Sequence, residues 1–203
     1  MTDHHVFLKG RKAIVTGGTR GIGFAIAEAL LKAGASVAIS GRSDASVSQA
    51  IEKLKAQANE GGVSIVGMAM DASQHEDHMK FYQFTDDKLG DVDIVVNNAG
   101  VGVFKKTSDL ALEDWRRVID TNLSGVFYSV REALKRFEKR GGGYLVHISS
   151  LAGKNAFAGG AAYNASKFGL EGFSEALMLD HRYDNVRVTT IMPGSVATEF
   201  GSP

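Results

Sequence analysis

Lys12-Ala13-Ile14-Val15-Thr16-Gly17-Gly18-Thr19-Arg20-Gly21-Ile22-Gly23 decides the architecture of this chain. Ala13-Ile14-Val15 is an apolar run of strand length that stops at glycines. Ile22, Ile26, Leu30 and Ala33 then fall at i, i+4, i+8 and i+11, which is helical spacing, and Gly34 stands where a helix-ending glycine belongs. A buried strand therefore feeds a tight turn that opens a helix. Glycines in such a turn let the backbone approach a ligand closely, and the free N–H groups at the helix start face an anion such as a pyrophosphate. The spacing Gly17-x-x-x-Gly21-x-Gly23 differs from the common G-x-G-x-x-G. A glycine-rich turn without a ligand is the competing reading, and the strand-before, helix-after context favours the ligand.

The same alternation continues outward. Val37-Ala38-Ile39 marks a second strand in 36–40, and Val47, Ile51 and Leu54 mark a second helix. A third strand falls in 63–69, and a polar helix in 73–89. Asp93-Ile94-Val95-Val96 is a fourth strand, ending at Asn97-Asn98-Ala99-Gly100. One long helix is expected over 112–139, broken by Gly141-Gly142-Gly143. A fifth strand follows in 144–148, a small-residue loop in 149–161, a further helix, and a sixth strand in 186–191 that ends at Pro193-Gly194. Short apolar strands alternating with helices predict a doubly wound parallel α/β sheet, Rossmann-like, as a single domain over residues 1–203.

Composition narrows the function classes. Lys+Arg and Asp+Glu are 23 each, so no basic surplus argues for nucleic acid. The chain has no cysteine, which excludes disulfides and thiolate chemistry. No apolar run reaches the length of a membrane span, and Met1 to His5 lack the apolar core of a signal peptide, so a cytoplasmic protein is expected. Glycine numbers 24 and proline 2, which suggests close backbone approaches within regular structure. His75 and His78 lack the spacing of H-E-x-x-H and read as part of a solvated helix face; no metal is expected. Glu113 and Asp114 suit the start of a helix.

Tyr163 and Lys167 are four apart, so on a helix they share a face. A cation one turn away stabilises a phenolate, lowers the phenol pKa from about 10, and makes the tyrosine useful for moving a proton to or from an oxygen. With this pair the sequence resembles the short-chain dehydrogenase/reductase family, including its 3-oxoacyl reductases. Thr16 to Gly23 match the family's TGxxxGIG at every fixed position. Asn97-Asn98-Ala99-Gly100 matches NNAG, Tyr163 to Lys167 match YxxxK, and Pro193-Gly194 with Thr198 matches PGxxxT.

The resemblance implies a role for each position. Tyr163 is the general acid/base. Lys167 lowers its pKa and bonds the nicotinamide ribose. Ser150, 13 residues before Tyr163, holds the substrate oxygen, with Ser149 as the adjacent alternative. Asn122 anchors a water-linked proton relay behind Lys167, or else marks a local helix distortion. The cofactor falls to Gly17, Thr19, Arg20, Gly21, Ile22 and Gly23 in the loop, with Asp71 and Ala72 near the adenine. Asn98, Ala99 and Gly100 line the passage to the ribose, and Pro193, Gly194, Val196 and Thr198 meet the nicotinamide end. The second strand ends in Ser40-Gly41-Arg42-Ser43 without an acid, and Arg20 lies in the loop. Two arginines suit a 2′-phosphate, so NADP is expected over NAD.

The expected function is hydride transfer between NADP(H) and a small carbonyl or secondary-alcohol substrate. A non-catalytic nucleotide-sensing or regulatory protein would be favoured by loss of the tyrosine or lysine, and both are present; a structural oligomer whose cofactor is only a stabiliser is the third reading. By the same resemblance the helices in 112–139 and 161–182 pair copies into a homodimer or homotetramer. Relatives of this type continue with another helix and a seventh strand, so the 203 residues are expected to be part of a longer chain with the sixth strand at the sheet edge.

Overall fold

The computed structural model describes residues 7–55 and 62–198; His4 and His5 lie outside them. Six strands form one sheet: β1 (Lys12–Val15), β2 (Ser36–Gly41), β3 (Ile65–Ala69), β4 (Ile94–Asn97), β5 (Gly143–Ile148) and β6 (Val186–Ile191). Their order is β3-β2-β1-β4-β5-β6, and every neighbouring pair is parallel. Parallel neighbours need crossovers, and helices supply them: α1 (Gly21–Lys32), α2 (Asp44–Lys55), α3 (His75–Leu89), α4 (Leu112–Ile119), α5 (Gly125–Arg140) and α6 (Ala161–Asp180). The chain winds one way from β1 through β3 and the other way from β4 through β6. The reversal leaves a crevice beyond the carboxyl ends of β1 and β4, where ligands bind in sheets of this kind.

The two-residue period of the strands divides the core between two faces. Ala13, Val15, Val37 and Ile39 point to the face covered by α1 and α2, where Ala27, Leu31, Ala50 and Leu54 meet them. Ile14, Val95 and Leu145 point to the other face and pack with Phe81, Val126, Val130, Phe137 and Leu170. Both faces are buried, which is why the central strands read as unbroken apolar runs. Each large side chain so buried contributes about 1.5–3 kcal/mol.

Two elements differ from expectation. The predicted stripe of α1, Ile22-Ile26-Leu30, is only half-buried, and the buried stripe is Gly23-Ala27-Leu31. The small residues let the helix close onto the sheet, and the bulky ones flank the contact. A Cβ on Gly23 would lie 2.3 Å from the Gly17 carbonyl oxygen, so only glycine fits there.

The long helix is two. Asp120–Ser124 forms a π turn between α4 and α5. Gly125 begins α5, and a Cβ on it would lie 2.2 Å from the Ala72 carbonyl oxygen. The offset lets α5 abut the loop after β3. Among the described residues β6 pairs only with β5, and its Arg187, Thr189 and Ile191 are exposed. No helix among them is long and apolar enough to cross a membrane.

Candidate active site

At the crevice, β1 ends in Thr16, whose Oγ1 accepts hydrogen bonds from Asn98 N (3.0 Å) and Ala99 N (3.1 Å). The Asn98 amide donates in turn to the carbonyls of Thr16 (3.0 Å) and Gly17 (3.1 Å). The glycine loop and the segment after β4 are thus one hydrogen-bonded unit. Thr16 and the Asn98 side chain hold the cradle, whereas the sequence reading placed Asn98 only along the passage to the ribose.

The cradle forms the floor of a cleft of about 850 Å³. The cleft is lined by Gly17, Thr19, Arg20, Gly21, Ile22 and Gly23, by Arg42, Asp71 and Ala72, by Asn98, Ala99 and Gly100, by Ser150, Tyr163 and Lys167, and by Pro193, Gly194, Val196 and Thr198. Of the residues assigned a catalytic or cofactor role from the sequence, Asn122 alone is not on its wall. The side chain of Arg20 makes no cap bond to α1 and no acid occupies the first turn of the helix, whose start at Gly21, Ile22 and Gly23 lies on the cleft. Arg20 and Arg42, both exposed, stand on the wall with Ser43 and Ser46. A glycine cradle, an open helix N-terminus and two arginines fit a dinucleotide carrying an extra phosphate. Ser43, Ser46, Arg117, Thr121 and Ser195 also line the cleft. Sequence reasoning missed them, since their only signal is adjacency to a motif or a place one helical turn from one.

The loop after β3 has support that the sequence hid. Asp71 Oδ1 accepts from Ser73 N (2.9 Å) and Ser73 Oγ (2.8 Å), and Asp71 N donates to Asp77 (3.0 Å). One carboxylate oxygen is therefore committed to the turn itself. The solvated-face reading of His78 is corrected: His78 is buried in the core and its Nε2 lies 3.0 Å from the Ala72 carbonyl. Burial pushes its pKa down, against the raising effect of that contact. The surrounding polar sequence concealed the inward turn of this one position.

On the other wall, strand alternation separates the two serines. Ser149 is buried, while Ser150 is partly open and hydrogen-bonds Tyr163. Ser150 Oγ also accepts from Ala152 N (3.1 Å), which fixes its rotamer at the start of a short 3-10 turn, Leu151–Gly153. Lys167 is 5 % exposed, and its Nζ donates to the Ile148 carbonyl (2.8 Å) while lying 5.7 Å from the centre of the Tyr163 ring.

Burial pushes the Tyr163 phenol up, with the Ser150 bond opposing. This reverses the expectation from spacing, which put the lysine's field first. Lys167 is itself pushed down to about 8 by burial, with Glu171 opposing. Helical spacing gave the shared face and could not give the depth.

Asn122 sits fully buried in the π turn, so the distortion expected as an alternative is present at this residue. Its Oδ1 accepts from Val101 N (2.8 Å), and its Nδ2 donates to Val101 O (2.9 Å) and Ser166 Oγ (3.1 Å). Ser166 Oγ donates to Tyr163 O (2.7 Å). Asn122 therefore ties the segment after β4 to the turn of α6 that carries Tyr163 and Lys167. π turns of this kind recur at functional sites.

A parallel sheet with a glycine turn at its switch point and a Tyr-Lys pair on the adjacent helix defines a Rossmann-like fold with a tyrosine and a lysine at the mouth of its cleft. The chain belongs to the short chain dehydrogenase family, whose pattern it matches over residues 11–203. It is 39% identical to the NADP-dependent (R)-specific alcohol dehydrogenase of Lentilactobacillus kefiri, covering 98% of this chain and 77% of that one. It is 35% identical to the 3-oxoacyl-[acyl-carrier-protein] reductase of Aquifex aeolicus, covering 95% and 77%. Among solved structures, the alcohol dehydrogenase of the archaeon Thermococcus sibiricus, complexed with 5-hydroxy-NADP, superposes with a TM-score of 0.87 at 31% identity, covering 94% and 79%.

Proposed function

We propose that this protein is an NADP(H)-dependent reductase of small carbonyl compounds, running in reverse on secondary alcohols. The observation that carries this reading is the Tyr163 hydroxyl, hydrogen-bonded to Ser150 at the mouth of the cleft with buried Lys167 one turn away. The nicotinamide supplies the hydride. Tyr163, its pKa held up by burial, is a phenol at neutral pH and can give its proton to an oxygen that gains charge. Ser150, locked by Ala152 N, positions that oxygen beside the phenol. Lys167 places a cation under the phenol, which favours the phenolate left after proton transfer. Asn122 holds this turn of α6 in register with the segment after β4.

Arg20 and Arg42 on the cleft wall support NADP over NAD, as do the NADP dependence of the Lentilactobacillus enzyme and the NADP derivative in the Thermococcus one. A dimer or tetramer through α4, α5 and α6 is supported by the exposed Leu112, Trp115, Phe127, Phe168, Met178 and Leu179, which light scattering at micromolar concentration tests. The function is tested by following NADPH oxidation over a panel of ketones, aldehydes and 3-oxoacyl thioesters, with NADH in parallel. Binding of NADPH without turnover on any of them would favour a nucleotide sensor.

A further inference from the structure

Beside Tyr163 stand two phenylalanines that proton transfer does not by itself require. Phe104, on the segment after β4, meets the Tyr163 ring edge-on, with centroids 5.6 Å apart and planes at 73°. Phe157, on the loop before α6, leans against Phe104 at 5.7 Å and 51°. Edge and tilted arrangements at these distances are favoured geometries of aromatic pairs. The rings form a chain of contacts that starts at the phenol, and Tyr163 itself lines the cleft. Phe104 and Phe157 are nonetheless 49 % and 46 % exposed. Large apolar side chains grouped in the open beside a cleft mark a surface that takes up another apolar group.

Both rings are carried on braced segments. Asn164, next to Tyr163 on α6, is buried; its Oδ1 accepts from Phe157 N (3.3 Å), and its Nδ2 donates to Ala152 O (2.8 Å) and Asn155 O (3.4 Å). The loop that carries Phe157 is thus tied to the turn that carries the phenol. Gly160 leaves room for the Phe157 ring, since a Cβ there would lie 2.6 Å from its edge. On the other segment, Lys105 N donates to Gly159 O (2.8 Å), which joins the two loops to each other. Val103, the neighbour of Phe104, packs with Val118 and with Ala162, the neighbour of Tyr163, in one buried cluster. The positions of both rings relative to the phenol are therefore set before any substrate arrives, and a preset apolar surface discriminates by what it can bury.

The pair offers no polar recognition. Phenylalanine has neither donor nor acceptor on its side chain, the flanking Ala156 and Ala158 add none, and the Lys105 ammonium is bonded to Asp114 of α4 (2.8 Å). A hydroxyl-rich substituent laid there would lose water without gaining a partner. An aryl ring would gain burial and ring-to-ring contact.

We propose that Phe104 and Phe157 are specificity-determining residues that select carbonyl compounds bearing an aryl ring. With the carbonyl oxygen beside Ser150 and Tyr163, the aryl group lies against the two phenylalanines. The proposal rests on the reductase reading and narrows it from small carbonyl compounds at large to aryl ketones and aldehydes, as against sugars and 3-oxoacyl thioesters.

The test measures kcat/KM with NADPH on acetophenone, 2-butanone, dihydroxyacetone and a 3-oxoacyl thioester, for wild type, Phe104→Ala, Phe157→Ala, the double alanine variant and Phe104→Tyr. Wild type should favour acetophenone over 2-butanone by about tenfold or more, and over the other two as well. Each alanine variant should lower the acetophenone-to-butanone ratio by about threefold to tenfold, chiefly through KM, and Phe104→Tyr, which keeps the ring, should retain it. A wild-type preference for dihydroxyacetone or the thioester overturns the proposal. So does an equal loss on both ketones in the alanine variants, which would make the rings mere packing for Tyr163. A ratio unchanged in the double variant also overturns it, and would assign the exposed rings to a second copy of the chain. If the wild type reduces no carbonyl, the reductase reading fails, and saturation-transfer NMR of acetophenone still decides the role of the rings: a signal lost in the double variant supports an aryl site, and an equal signal overturns it.

Discussion

Gly23→Ala should be far more damaging than its single methyl suggests. The added Cβ would stand 2.3 Å from the Gly17 carbonyl oxygen and 2.4 Å from the Asn98 amide nitrogen, roughly 1 Å inside van der Waals contact with each. The first obstacle is backbone and the second is locked by two hydrogen bonds, so neither can turn aside. Overpacking of this kind costs about 1–3 kcal/mol, and loss of the Asn98 bonds adds about 1 kcal/mol each. The displaced loop is the proposed cofactor cradle, so a total of about 3–5 kcal/mol should divide between NADPH binding, weaker by about a hundredfold, and lower stability.

Gly172→Ala is the control. It lies inside α6, a Cβ there meets nothing within 4 Å, and alanine should stabilise the helix by about 0.5–1 kcal/mol. NADPH fluorescence titration and urea denaturation of both variants measure the difference. A Gly23→Ala protein with wild-type NADPH affinity and an unchanged urea midpoint would refute the close-approach argument.

Other outcomes are expected from the same geometry. Tyr163→Phe removes only the hydroxyl that meets Ser150; turnover should fall by about 10² or more while NADPH affinity persists, and retained turnover would remove Tyr163 from the acid/base role. Arg42→Ala should weaken NADPH about tenfold or more and leave NADH nearly unchanged, so equal losses for both cofactors would place Arg42 away from the 2′-phosphate. His147 is buried and neutral with a pKa near 4, against about 6.5 when unfolded. The unfolded chain thus binds the extra proton first. Stability from this residue is full above pH ~6.5 and is lost as pH falls toward 4, by about 2 kcal/mol at pH 5. Urea midpoints of wild type and His147→Asn at pH 7 and pH 5 check the sign, and equal slopes in the two proteins would show that His147 does not carry it.

Local pattern determined the strands, the helices and the motif positions. Ala13-Ile14-Val15 read as a buried strand, and the glycines after it as a turn into a helix, because run length, flanking glycines and helical spacing are properties of residues near one another in the chain. The pairing of Tyr163 with Lys167 was legible for the same reason, since helical spacing is a local rule.

Tertiary structure decided what depends on distance between segments and on depth. The break of the expected long helix at Asp120–Ser124 follows from Asn122 bonding to Val101 and Ser166, residues 21 and 44 positions away. The buried stripe of α1 shifted by one residue because Gly23 meets Gly17 and Asn98, which no periodicity reveals. His78 turned inward from a polar helix to hold the Ala72 carbonyl. The charge of the site was hidden most deeply. Spacing placed a cation beside a phenol, but burial pushes the Tyr163 phenol up and Lys167 down to about 8. Desolvation is set by everything packed around a group, and that packing is assembled from β5, α6 and the Leu151–Gly153 turn, which meet only in the folded chain.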